Sequence, residues 1–127
     1  MITGIEHIAV LAKDSKKLTD WYVDMFGFEI VYDNGKGVYF VKAADGSMLE
    51  IIPAEGDSAP TDTKEWGIRH FALSVTDDGF DKMVKALKAN NAEIVTDVAI
   101  SAKGIKTFFF RDIEGNIFHL IFRPTPL

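Results

Sequence analysis

An internal repeat is the feature that most constrains how this chain of 127 residues folds. Residues 4–9 read Gly-Ile-Glu-His-Ile-Ala, and residues 67–72 read Gly-Ile-Arg-His-Phe-Ala. Each segment leads through a turn-and-cap cluster into a stretch with the apolar spacing of an amphipathic helix. Each half then ends in two strand patterns joined by an acidic-Gly-polar turn, at 45–47 and 114–116. The repeat therefore predicts two modules of the same architecture.

Each half reads as strand, helix, strand, strand, strand. We predict an α+β fold of tandem βαβββ modules, forming two curved mixed sheets around a cleft. The chain is expected to be a single domain over residues 1–127, with module one at 1–53 and module two at 67–127. The segment between them, 54–66, is rich in Pro, Gly and acidic residues and is interpreted as a linker.

Composition excludes several classes of function. Hydrophobic residues make up 47% and charged residues 26%, which is typical of a globular domain and not of a disordered chain. The net charge is −5 and the basic residues are scattered, so nucleic acid is not an expected partner. No apolar run is long enough for a membrane span, and no signal peptide is recognisable. The absence of cysteine excludes a thiol nucleophile and a thiolate metal site, and a cytoplasmic location is the default expectation.

The three histidines fall at informative places in the repeat. His7 and His70 occupy equivalent positions, and His119 is equivalent to Glu50. Strand alternation puts each of these four side chains on the same face as apolar neighbours, towards the expected interior. An anionic Glu50 buried there without a cation would cost several kcal/mol. A divalent metal ion would supply that cation, so the pattern predicts a metal site; a hydrogen-bonded polar cluster is the alternative.

The quoted segments resemble the vicinal oxygen chelate superfamily, which includes glyoxalase I, extradiol dioxygenases, fosfomycin-resistance thiol transferases and bleomycin-binding proteins. The resemblance extends over essentially the whole chain. Besides the two His segments, it rests on Met-Leu-Glu-Ile at 48–51 and Asp-Ile-Glu-Gly-Asn-Ile-Phe-His-Leu at 112–120. The second of these is similar to the family's Asp-Pro-Asp-Gly-Asn-x-x-Glu-Leu ending.

The resemblance implies that the metal ligands lie on the first and last strands of each module, at His7, Glu50, His70 and His119. The first three fit the glyoxalase I pattern, whereas His119 stands where a second glutamate is expected. Three imidazoles favour one divalent transition metal, Ni, Co, Zn, Fe or Mn. Four protein ligands would leave two adjacent positions for a substrate that chelates through neighbouring oxygens.

Three functions follow from the resemblance. The preferred one is a glyoxalase I-like lyase or isomerase of an α-oxygenated carbonyl or hemithioacetal, which passes through an enediolate and uses Glu50 as the catalytic base. The second is a metal-dependent dioxygenase of the extradiol type. The third is a resistance protein, either a thiol transferase or a non-catalytic antibiotic-binding protein.

Further expectations concern the pocket and the assembly. Tyr39, Phe109 and Arg111 are candidate residues of a substrate pocket, although core packing is the more common role for such aromatic side chains. The substrate is expected to be a small molecule. The resemblance also implies a homodimer.

Overall fold

The computed structural model describes Met1, residues 5–57, Ile68 and residues 70–127. The chain divides into two compact units, Met1–Ser58 and Ala59–Leu127. Most of the predicted linker, 54–66, lies outside the described residues. The elements of the first unit are β1 (His7–Ala12), α1 (Ser15–Phe26), β2 (Glu29–Asp33), β3 (Tyr39–Lys42) and β4 (Met48–Pro53). Those of the second unit are β5 (Phe71–Ser74), α2 (Asp77–Ala89), β6 (Ile94–Ile100), β7 (Lys106–Arg111) and β8 (Ile117–Phe122).

Each unit contains one four-stranded mixed sheet. The strand order is β1-β4-β3-β2 in the first unit and β5-β8-β7-β6 in the second. The first and last strands of each unit run parallel, and the other neighbours are antiparallel. The predicted α+β class and the βαβββ order of each module are confirmed.

Local sequence signals set the ends of both helices. The Asp14 side chain accepts a hydrogen bond from the backbone N–H of Lys17 at the start of α1. At the other end Gly27 adopts φ +67°, a left-handed conformation that glycine takes at little cost. Thr76 caps α2 in the same way, accepting from the backbone N–H of Gly79, and Asn90 caps its other end, directly after Ala89. Gly27 and Asn90 thus mark the ends of the two helices.

Each helix packs on one face of its own sheet. In the second unit, α2 contacts β8, and four phenylalanine side chains are fully buried in the core. They are Phe80, Phe108, Phe110 and Phe118. Because strand side chains alternate between faces, the residues between these, such as Phe109 and His119, belong to the opposite face. That face carries the candidate ligands.

One strand boundary differs from the prediction. His70 was expected within a strand, but β5 begins one residue later, because its pairing with β8 starts at Phe71 opposite Phe118. Among the described residues, no helix is long and apolar enough to cross a membrane.

Candidate metal centre

The first unit brings two of the predicted ligands together. His7 begins β1 and Glu50 lies in β4, and the parallel register sets Ala9 opposite Glu50. His7 Nε2 lies 3.4 Å from Glu50 Oε2. The two side chains are 36% and 23% exposed, so the pair is open to a ligand yet partly shielded from water.

A second carboxylate lies on the other side of the same imidazole. His7 Nδ1 contacts Glu6 Oε2. The pKa of His7 is raised above its ordinary value chiefly by the hydrogen bond with Glu6, with smaller contributions from the charges of Glu6 and Glu50, while burial acts in the opposite direction. His7 therefore lies between two carboxylates, one at each ring nitrogen.

The second unit brings the other two predicted ligands together. His70 immediately precedes β5, and His119 lies in β8, where the parallel register sets Ala72 opposite it. The ring centroids of His70 and His119 are 4.7 Å apart, with an angle of 84° between the ring planes. His119 is only 6% exposed. The Ala9–Glu50 and Ala72–His119 registers show that Glu50 and His119 are structural equivalents.

One ring nitrogen of each histidine in this second pair lacks a hydrogen-bond partner among the described residues. Nδ1 of His70 and Nδ1 of His119 are buried, and neither has a hydrogen-bond partner within the described part of the chain. Burial lowers the pKa of His119, and the nearby His70 and Arg123 lower it further. A neutral imidazole with an unsatisfied nitrogen is the form that binds a metal ion, so the donor chemistry of this pair fits a divalent cation.

An aromatic side chain from the neighbouring strand supports each pair. Phe40 of β3 lies opposite Glu50, and its ring meets the His7 ring edge-on, at 5.2 Å between centroids and 73° between planes. Phe109 of β7 lies opposite His119 and stacks on it, at 4.3 Å and 7°. Phe40 and Phe109 are thus equivalent in the repeat.

The three predicted pocket residues have different surroundings. Tyr39 and Val41 are buried on the helix-packed face of their sheet, and Phe40 between them lies on the other face. Tyr39 therefore has the core-packing role that is more common for such aromatic side chains. Arg111 Nη1 donates to the carbonyl of Gly115 at 2.7 Å, and its Nε lies 3.3 Å from Glu93 Oε1. Arg111 therefore stabilises the turn between β7 and β8. Phe109, the third predicted pocket residue, contacts two predicted ligands, His70 and His119.

Sequence reasoning missed Glu6, Phe40 and Lys42. Lys42 is two residues beyond Phe40 in β3 and lies opposite Met48, which in turn lies opposite His7. Its repeat equivalent is Arg111, which lies opposite Ile117. The structure shows no ion pair for Lys42 with any described residue. Because Arg111 is a predicted pocket residue, the repeat could have indicated its equivalent, Lys42, as a second candidate.

Each unit thus supplies two of the four predicted ligands. Nowhere in the described ranges do three or more His, Asp or Glu side chains form a group that could hold a metal ion.

The fold and the paired side chains define a class of protein. Two βαβββ units, each with one candidate ligand at the start of its first strand or just before it and one on its last strand, have the architecture of the vicinal oxygen chelate proteins. Residues 4–120 match the family model described as the Glyoxalase/Bleomycin resistance protein/Dioxygenase superfamily, and the chain belongs to that family.

Known proteins resemble the chain over most of its length. The fosfomycin resistance protein FosX of Listeria monocytogenes is 24% identical, over 94% of this chain and 90% of FosX. The metallothiol transferase FosB of Staphylococcus haemolyticus is 25% identical, over 91% of this chain and 81% of FosB. A crystal structure of a substituted form of the Listeria FosX, in complex with Mn(II) and 1S,2S-dihydroxypropylphosphonic acid, matches with a TM-score of 0.80 and 25% identity, covering 97% of this chain and 94% of that one.

Proposed function

We propose that this protein is a divalent-metal-dependent enzyme that adds a nucleophile to a small phosphonate epoxide, with fosfomycin as the first substrate to test. The observation that carries the proposal is the pairing of His7 with Glu50 and of His70 with His119 at equivalent strand positions. The names of the relatives favour this over the glyoxalase I reading, since they include a fosfomycin resistance protein and a metallothiol transferase.

We propose that both pairs ligate the same ion, through His7, Glu50, His70 and His119. Three imidazoles and one carboxylate favour a transition metal, with Ni, Co, Zn, Fe and Mn as candidates. The unpartnered buried nitrogens of His70 and His119 support the assignment, because a buried polar atom without a partner is costly and coordination would satisfy it. When bound, the ion would act as a Lewis acid towards the substrate oxygens.

The reaction balances with a thiol and an epoxide alone. The thiol loses its proton, its sulfur forms a bond to one epoxide carbon, and the bond from that carbon to the ring oxygen breaks. The proton lost by the thiol ends on that oxygen, which becomes a hydroxyl. With water as the nucleophile, the same opening yields a diol. The role of the protein's residues is to bind the substrate and orient it towards the nucleophile.

Lys42 is suited to bind the phosphonate. It lies two strand positions across the sheet from His7, which corresponds to a Cα separation of about 10 Å. A lysine ammonium is a compact positive charge that binds phosphate-like anions, and no described residue forms an ion pair with it. A substrate bound near His7 could therefore extend its anionic end towards Lys42.

The test is an assay on protein loaded with Mn(II), Ni(II) or Zn(II), with fosfomycin and either water or a panel of thiols. Consumption of fosfomycin, followed by ³¹P nuclear magnetic resonance, with formation of a thioether or a diol would support the proposal. Glu50→Gln should lower the rate strongly. Asp24→Asn is the matched control, because Asp24 is an exposed carboxylate of α1, the helix that packs on the opposite face of the same sheet.

A second candidate is the glyoxalase I-like isomerisation, and the observation that favours it is Glu50. This partly buried carboxylate lies beside His7, where it could move a proton between adjacent carbons of a hemithioacetal. The same metal-loaded samples should be given methylglyoxal with glutathione. Turnover of that mixture without turnover of fosfomycin would select the isomerase, and binding of fosfomycin by metal-free protein without turnover of either would select a binding protein.

A further inference from the structure

We propose that Glu6 is a positioning residue that orients His7 and selects the ring nitrogen with which His7 binds the metal. This inference rests on the proposed metal site. It concerns a residue just outside β1 that is not itself a ligand. Its basis is the contact between Glu6 Oε2 and His7 Nδ1.

The geometry assigns different roles to the two ring nitrogens. A carboxylate can only accept hydrogen bonds, so Nδ1 must carry a proton to bond with Glu6. In the neutral ring that leaves the lone pair on Nε2, which lies 3.4 Å from Glu50 Oε2. An ion held between Nε2 and Glu50 would then have both donors in the correct state.

A carboxylate at the remote nitrogen of a histidine ligand also makes the ligand more basic and holds its ring plane. Here the edge-on contact with Phe40 restrains the same ring from another side. Glu6 and Phe40 together would keep Nε2 directed towards Glu50. The His7 ring would then already have its metal-binding orientation before the ion binds.

The other two histidines provide a contrast. Nδ1 of His70 and Nδ1 of His119 have no hydrogen-bond partner among the residues that the structure describes. At His70 the preceding residue of the repeat is Arg69, which lies outside the described ranges and by sequence carries no carboxylate. The acidic residue before His7 is therefore a specific property of the first unit.

Glu6 is also convenient to test, because its side chain is 67% exposed and its loss removes nothing from the core. Two variants are needed: Glu6→Ala removes the acceptor, and Glu6→Gln keeps an acceptor oxygen without the charge. Glu29→Ala removes an exposed carboxylate from the far strand β2 and serves as the matched control.

Zn(II) affinity should be measured for all four proteins by competition with a chromogenic chelator. Loss of such a partner typically weakens metal binding about 10- to 100-fold, which we expect for Glu6→Ala, with a smaller loss for Glu6→Gln and none for Glu29→Ala. Nitrogen-15 spectra of the metal-free protein at alkaline pH, where the imidazole is neutral, should show His7 with its proton on Nδ1. Glu6→Ala should shift the ring towards the other tautomer.

The outcomes separate this inference from the function on which it rests. If the wild-type protein does not bind Zn(II), the proposed metal site is wrong and this inference is lost with it. If the wild type binds and Glu6→Ala binds equally well, or its His7 tautomer is unchanged, the positioning role of Glu6 is wrong while the metal site stands.

Discussion

The ring of Phe109 lies parallel to the ring of His119, with centroids 4.3 Å apart and 7° between the planes. The two residues are directly opposite each other on the antiparallel strands β7 and β8. Phe109 also meets His70 edge-on at 5.5 Å. One aromatic side chain thus contacts both imidazoles of the second unit, and it restricts how either ring can turn.

Neighbouring phenylalanines of β7 should respond differently to truncation. Phe110 is fully buried against the core, so Phe110→Ala should lower the free energy of unfolding by about 3–5 kcal/mol. Phe109→Ala should cost less stability but weaken metal binding, because it frees the rings of His70 and His119. Chemical denaturation of the metal-free proteins and Zn(II) titration provide the two readouts. Equal loss of stability in both variants with unchanged Zn(II) affinity in Phe109→Ala would contradict this division of roles.

The stability of the metal-free protein should depend on pH through His119. Because the pKa of His119 is lowered in the folded state, the unfolded chain takes up the proton first as pH falls below the ordinary histidine pKa of about 6.5. The free energy of unfolding therefore keeps the whole contribution of His119 above that pH. It loses this contribution progressively as the pH falls from there to the lowered pKa of His119 in the folded state. His7, whose pKa is raised, contributes with the opposite sign.

The pH effect of His119 is isolated by a difference measurement. The free energy of unfolding should be determined for the wild type and for His119→Gln, which cannot titrate, between neutral and mildly acidic pH. The wild type should lose stability relative to His119→Gln as pH falls. A difference that stays constant, or changes in the other direction, would show that His119 does not stay neutral in the folded protein.

Removal of the Lys42 charge should weaken binding of an anionic substrate. Hydrogen bonds to charged groups contribute about 1.5–3 kcal/mol, so Lys42→Gln should raise the KM for a phosphonate roughly 10- to 100-fold with little change in kcat. The control is Lys17→Gln, which removes the same charge at an exposed position of α1. An unaltered KM in Lys42→Gln would place the anionic group of the substrate elsewhere.

Metal removal should lower the melting temperature. A ligand that binds only the folded state stabilises it by about 4 kcal/mol when present at 1,000 times its Kd. Chelation followed by readdition of Zn(II) should therefore lower and then restore the melting temperature in the wild type. His70→Ala, which lacks one proposed ligand, should respond weakly. The same gain in both proteins would point to metal binding away from His70.

Local patterns in the chain were sufficient for the architecture. The apolar spacing of each helix and the turn-and-cap cluster before it act over a few residues, and the structure has a helix at each of these places. The face on which each strand residue lies also follows from local alternation. That is why Glu50 and His119 could be matched as equivalents before any contact was known.

Such local patterns could not predict which side chains of different strands contact each other. Phe40 and Lys42 were missed because their neighbours depend on the register of β3 with β4 and of β4 with β1. Glu6 was missed because strict alternation directs adjacent residues to opposite faces, whereas Glu6 precedes the first strand residue and is free to fold back on His7.

The amino-acid sequence by itself determined the βαβββ units and the residues equivalent between them, since helix spacing, caps and strand alternation are properties of short segments. Only the tertiary structure decided that His7 Nε2 lies 3.4 Å from Glu50, that Phe109 stacks on His119, and that two buried ring nitrogens have no partner among the described residues. These contacts arise from hydrogen-bonded pairing between strands of the same unit, β1 with β4, β5 with β8 and β7 with β8, which brings together side chains that are not neighbours along the chain.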